Sequence, residues 1–178
     1  KEPVMERGAL INPNLVFQEH DLFTTGIVYM PVSLAYFAAA VRAGGIGCSV
    51  VDAFGEAPNQ WWKEDGFIFR GISPAEVVSR LKDPKVIVLY AINLTYHRAL
   101  MAMLRAVRSQ FPSASIVILE NSQAVTAYSV RAVQEEFYQA GADFVIAGEG
   151  EERGVELIQE LLHTGPPDLS KISHIDGI

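Results

Sequence analysis

Apolar residues in this chain fall into short unbroken runs, and each run is followed by a stretch with helical spacing. The runs are Arg7 to Ile11, Cys48 to Val51, Val86 to Leu89, Ile116 to Leu119, and the Phe144-Val145-Ile146 stretch. A run without polar alternation is what a parallel strand covered on both faces requires. Between them, Leu34, Phe37, Ala38 and Val41 recur at i, i+3, i+4, i+7. So do Val77, Val78 and Leu81; Leu100, Met103, Leu104, Val107 and Phe111; Val130, Val133, Phe137 and Ala140; and Val155, Ile158, Leu161 and Leu162. Each set predicts a helix with one buried face.

Local signals punctuate these elements. Pro31 opens the first helix and Gly44-Gly45 ends it. Ser73-Pro74-Ala75-Glu76 reads as a capping box with proline at the first helical position, and Asp83-Pro84 stops that helix. Five strand–helix units in series predict an α/β fold: a doubly wound five-stranded parallel sheet with helices on both faces. The expected strand order is 2-1-3-4-5, with a crevice between strands one and three. Residues 1–163 then form one domain, and 164–178 read as a linker or as the first strand of something further.

Two stretches carry no clear period. After Asn12-Pro13-Asn14 a loop runs to Met30; at about 17 residues it exceeds ordinary connections, and such loops are usually functional or disordered. It contains Glu19, His20, Asp21, Thr24, Thr25 and Gly26. Glu56 to Arg70 holds Trp61-Trp62; adjacent tryptophans do not both face one core, so one is expected at the surface.

Composition narrows the chemistry. The chain has 178 residues, 49% hydrophobic and 20% charged, and a net charge of −7, which argues against nucleic-acid binding. No apolar run has the length of a membrane span, and the first residues lack the core of a signal peptide. A single cysteine, Cys48, rules out an internal disulfide framework and a cysteine-ligated iron–sulfur cluster within these residues. A cytoplasmic location is the expectation.

Phosphate-loop, dinucleotide and nucleophile-elbow motifs are absent, and the four histidines are scattered. The strand ends instead carry amides, hydroxyls and glycines: Asn12, Ser33, Asn93, Thr95, Asn121, Ser122, Gly148 and Gly150, with Asp52 ending strand two. Such a set suits a large, polar, neutral ligand. Gly148-Glu149-Gly150-Glu151-Glu152 opens the last helix; carboxylates at a helix N-terminus make it a poor phosphate site.

In order, Asn12-Pro13, Met30-Pro31-Val32-Ser33-Leu34-Ala35-Tyr36-Phe37-Ala38-Ala39, Ala43-Gly44-Gly45, Val50-Val51-Asp52-Ala53 and Asp143 to Glu151 form a combined pattern. Over residues 8 to 163 this pattern resembles the cobalamin-binding domain of cobalamin-dependent radical S-adenosylmethionine enzymes. The resemblance implies cobalamin at the carboxyl ends of the strands, its corrin ring over the loops starting at Asn12 and Pro31. The nucleotide tail would descend near Asn93, Thr95 and Asn121, flanked by Gly148-Glu149-Gly150. The implied cofactor-binding set is Asn12, Pro31, Ser33, Leu34, Asp52, Asn93, Thr95, Asn121, Ser122, Gly148, Glu149 and Gly150. The [4Fe–4S] cluster and S-adenosylmethionine would belong to a catalytic barrel of the parent enzyme. This chain carries no C-x-x-x-C-x-x-C, so the domain is not catalytic alone.

Two departures from the family stand out. Its Gly-Gly at the end of strand four is replaced by Glu120-Asn121, which crowds the groove, and a buried carboxylate there needs partners. The D-x-H-x-x-G motif of methyl-transferase and mutase relatives is matched in spacing by Asp21 to Gly26, but Phe23 stands where histidine would ligate cobalt.

A second reading is a cofactor-free interaction module of the same fold, packing a catalytic partner through Trp61-Trp62 and the long loop. It predicts a groove filled by side chains with Glu120 paired inside. A phosphorylated receiver domain would need acidic residues after strand one, an Asp ending strand three and a Lys ending strand five; Asn12, Tyr90 and Gly148 stand there.

Overall fold

The computed structural model describes residues 6–21, 30–121, 129–163, 167–175 and 177–178. Five strands form a parallel sheet: β1 (Glu6–Asn12), β3 (Gly47–Asp52), β6 (Val86–Ala91), β7 (Ser115–Glu120) and β8 (Phe144–Ile146). Their order is β3-β1-β6-β7-β8, the 2-1-3-4-5 winding expected, with β1 and β6 adjacent at the point where the order reverses. All six residues of β6 are buried, as its apolar run requires.

Helices α1 (Val32–Ala43) and α5 (Arg153–Leu161) cover one face; α2 (Pro74–Arg80), α3 (His97–Gln110) and α4 (Gln134–Gln139) cover the other. Alternate residues of each strand feed the two cores. Leu10, Val88, Tyr90, Val117 and Leu119 pack with α1 and α5, while Ile11, Ile87, Leu89, Ile116 and Ile118 pack with α2, α3 and α4. The capping box forms: Ser73 Oγ accepts from the Glu76 amide, and the Glu76 carboxylate accepts from the Ser73 amide.

The two unpatterned stretches are a correction. They hold a second, antiparallel sheet in the order β2-β5-β4, built from β2 (Leu15–Gln18), β4 (Trp61–Glu64) and β5 (Phe67–Arg70). Asp65 and Gly66 turn β4 into β5, both at positive φ. Trp62 stacks on Phe69 at 5.2 Å between ring centroids, and Trp61 is exposed. This sheet is pinned to the main one by Asn14, whose Nδ2 donates to the carbonyls of Ile72 (2.7 Å) and Arg70 (3.2 Å).

Within residues 164–178, α6 (Leu169–Ile172) folds back. Ile172 and Ile175 are buried in the α1/α5 core, and the Gly177 carbonyl accepts from the Ala147 amide just past β8. Among the described residues, no helix is long and apolar enough to cross a membrane.

Candidate functional site at the strand ends

The site is the rim where the five parallel strands stop, and its two halves differ. On the β1/β3 side, Asn12 and Asn14 are almost fully buried. Asn12 Nδ2 donates to Asp52 Oδ1 (2.8 Å), and the Gly55 amide donates to the same oxygen (2.9 Å). Because Asp52 can only accept, the Asn12 amide is fixed with nitrogen toward it. The two carbonyls on Asn14 Nδ2 fix that amide likewise. Both Oδ1 atoms are then left without a hydrogen-bond partner in the described structure. A buried acceptor in that state costs about 1–3 kcal/mol, so two within three residues stand out.

Beside them the rim is apolar. A groove of about 490 Å³ is lined by Met30, Pro31, Val32, Ala35, Tyr36 and Ala39, with Asp52 at its edge. Met30 is 78% exposed, and Leu94, just past β6, is 60% exposed. Pro31 is the N-cap of α1 and supplies no side-chain cap.

The β7/β8 side has spent its groups. Glu120 accepts from the Val130 amide (3.1 Å) through one carboxylate oxygen and from the Gly148 amide through the other. Ser33 Oγ donates to Asn121 Oδ1 (3.3 Å), and Asn121 Nδ2 donates to the Ile92 carbonyl (3.2 Å). The Tyr90 hydroxyl also bonds Ser33; burial, with the Glu151 carboxylate adding to it, raises the phenol above its ordinary range. Asn93 Oδ1 accepts from the Thr95 amide, closing the turn after β6.

The residues singled out from the sequence therefore divide. Pro31, Asp52, Thr95, Gly148 and Glu149 are at the rim, as are Asn12, Ser33, Asn93 and Asn121, which are buried and bonded internally. Leu34 is a core residue, 1% exposed. Gly150 is buried, and a Cβ there would stand 2.4 Å from Leu119 Cδ1, so its bare side is filled by the protein itself. Ser122 and the Phe23 position lie outside the described residues. Glu152 is the N-cap of α5 but makes no side-chain cap bond. Sequence reading missed Asn14, which Asn12-Pro13-Asn14 advertises as a turn amide, and Leu94. Among the described residues no three His, Cys, Asp or Glu side chains gather as metal ligands.

No family model and no curated protein matches the chain. Among solved structures it is similar to a response regulator from Burkholderia pseudomallei holding a phosphorylated aspartic acid, calcium and citrate. That match has 13% identity and TM-score 0.50, covering 97% of this chain and 76% of that one. A flavodoxin-like domain from Synechococcus sp. aligns at 12% identity and TM-score 0.46, covering 86% of each chain. A diflavin flavoprotein A3 from Nostoc sp. aligns at 11% and 0.46, covering 88% and 89%. The first of these supports the doubly wound fold alone. The acidic pocket of a receiver is not reproduced here: Asn12 ends β1, Ala91 ends β6, and Ala147-Gly148 follow β8.

Proposed function

We propose that this chain is the corrinoid-holding domain of a cobalamin-dependent radical S-adenosylmethionine enzyme, acting in the cytoplasm and not catalytic alone. The observation that carries the reading is the β1/β3 half of the rim. Two fixed, buried amide oxygens lack donors beside an apolar groove lined by Met30, Pro31 and Val32. A corrin is an apolar plate edged with primary amides, so it matches both properties. These residues fit the ring. In this reading the covered Asn12 and Asn14 oxygens are uncovered as the ring seats and accept from its amides, and Pro31 and Val32 exclude water from its face. A bound corrinoid supplies cobalt chemistry to the parent barrel, while this chain binds and orients it.

Hydroxocobalamin mixed with the purified chain and desalted is the direct test. About one corrin per chain by visible absorbance is expected; a folded chain that keeps none removes the proposal.

A second reading, the cofactor-free interaction module, is favoured by one observation: Glu120 and Asn121 are paired internally on the β7/β8 side. It predicts no retained corrin, and binding of a catalytic barrel that is lost on Trp61→Ser.

A further inference from the structure

Resting on the corrinoid reading, we propose that this domain grips the ring alone: the nucleotide tail stays outside the protein, and corrinoids lacking that tail bind as well as complete cobalamin.

A nucleotide tail is a flat aromatic base on a ribose with an anionic phosphodiester. To bury it beneath the ring, the sheet face under α1 and α5 would have to open, and among the described residues that face is packed at the bottom, in the middle and near the top. At the bottom the helices touch: a Cβ on Gly44 would lie 2.8 Å from Val155, and Gln159 Nε2 donates to the Gly44 carbonyl (3.3 Å). In the middle, a Cβ on Gly154 would lie 2.4 Å from the buried Phe37 ring. Tyr90, Leu119 and Ile146 fill the remaining space, all within 3% of full burial. Near the top, Ser33 and Asn121 tie the first turn of α1 to the end of β7, and Glu120 holds the Gly148 and Val130 amides.

Charge opposes the phosphodiester as well. The cavity beside this closure is lined by Glu149, Glu151, Glu152 and Arg153, and the Arg153 guanidinium is engaged with the Glu149 carbonyl. Three carboxylates against one engaged cation repel an anion. Among the described residues, the β1/β3 half holds the unpaired Asn12 and Asn14 acceptors and the apolar groove beside them. Ring recognition and tail exclusion thus occupy opposite halves of one rim.

Parallel titrations of the chain with aquacobinamide, which has no tail base, and with hydroxocobalamin test this. Dissociation constants within about threefold of each other are expected, since no tail contact contributes to affinity. Cobalamin tighter by tenfold or more would overturn the inference while leaving the corrinoid reading in place. Binding of neither compound would overturn both.

Discussion

The β1/β3 and β7/β8 halves of the rim are built from the same materials, asparagines, carboxylates and glycine turns, yet one, the open half, keeps unpaired acceptors, while the other, the closed half, has Glu120 and Asn121 bonded. On the closed half Ser33, Glu120 and Asn121 each reach a backbone partner or a neighbouring side chain. On the open half Asp52 gathers two donors, but Asn12 and Asn14 keep an oxygen each unpaired. The difference shows that polar composition alone does not make a binding surface. What counts is whether the fold has already consumed the groups, and that depends on which backbone amides pass nearby.

Substitutions at four positions sharpen the contrast. The largest effect is expected from Gly154→Ala, which drives a methyl into the Phe37 ring and lowers unfolding free energy by about 2–3 kcal/mol in denaturant titrations. Glu120→Ala strands the Gly148 and Val130 amides and should cost about 2 kcal/mol, with Glu120→Gln recovering part of it. Tyr90→Phe should cost about 1 kcal/mol at neutral pH by removing the bond to Ser33. It also alters the alkaline limb. With its pKa raised in the folded state, Tyr90 contributes stability that is full below its unfolded pKa near 10 and falls as pH rises toward the folded value. The Phe variant should therefore lose less stability above about pH 10 than the parent chain. Asn12→Leu is expected to change stability by less than about 1 kcal/mol, because the lost Asp52 bond is offset by removing an unpaired acceptor. If Asn12→Leu proves as costly as Glu120→Ala, the two halves are not different in kind.

The main sheet was legible because its signals are strong and mutually consistent. Five unbroken apolar runs, each followed by a helical period, leave little choice of topology, and the order came out as expected. The second sheet was not read, although Trp61 to Arg70 carries a hairpin signal in Asp65-Gly66, whose positive φ values fit a two-residue turn. The absence of simple alternation hid it: β4 is largely exposed and β5 buries Phe69 deeply, while β2 arrives from a distant part of the chain. At the rim, residue types could be named from the sequence, but their state could not. Whether Glu120 obstructs a groove or ties down Gly148 depends on where the 3-10 turn Val130–Val133 and the turn after β8 bring their amides. Leu34 is a similar case: its place in the motif is visible, but burial beneath α1 follows from the helix's rotation.

The bond from the Ala147 amide to the Gly177 carbonyl makes the last residues a handle on the Gly148-Glu149-Gly150 turn. Ile172 and Ile175 anchor the handle in the core, so a tug or a heavy body fixed at Ile178 bears directly on the sheet's outermost strand. Movement there reaches the closed half of the rim first and the open half only through the sheet.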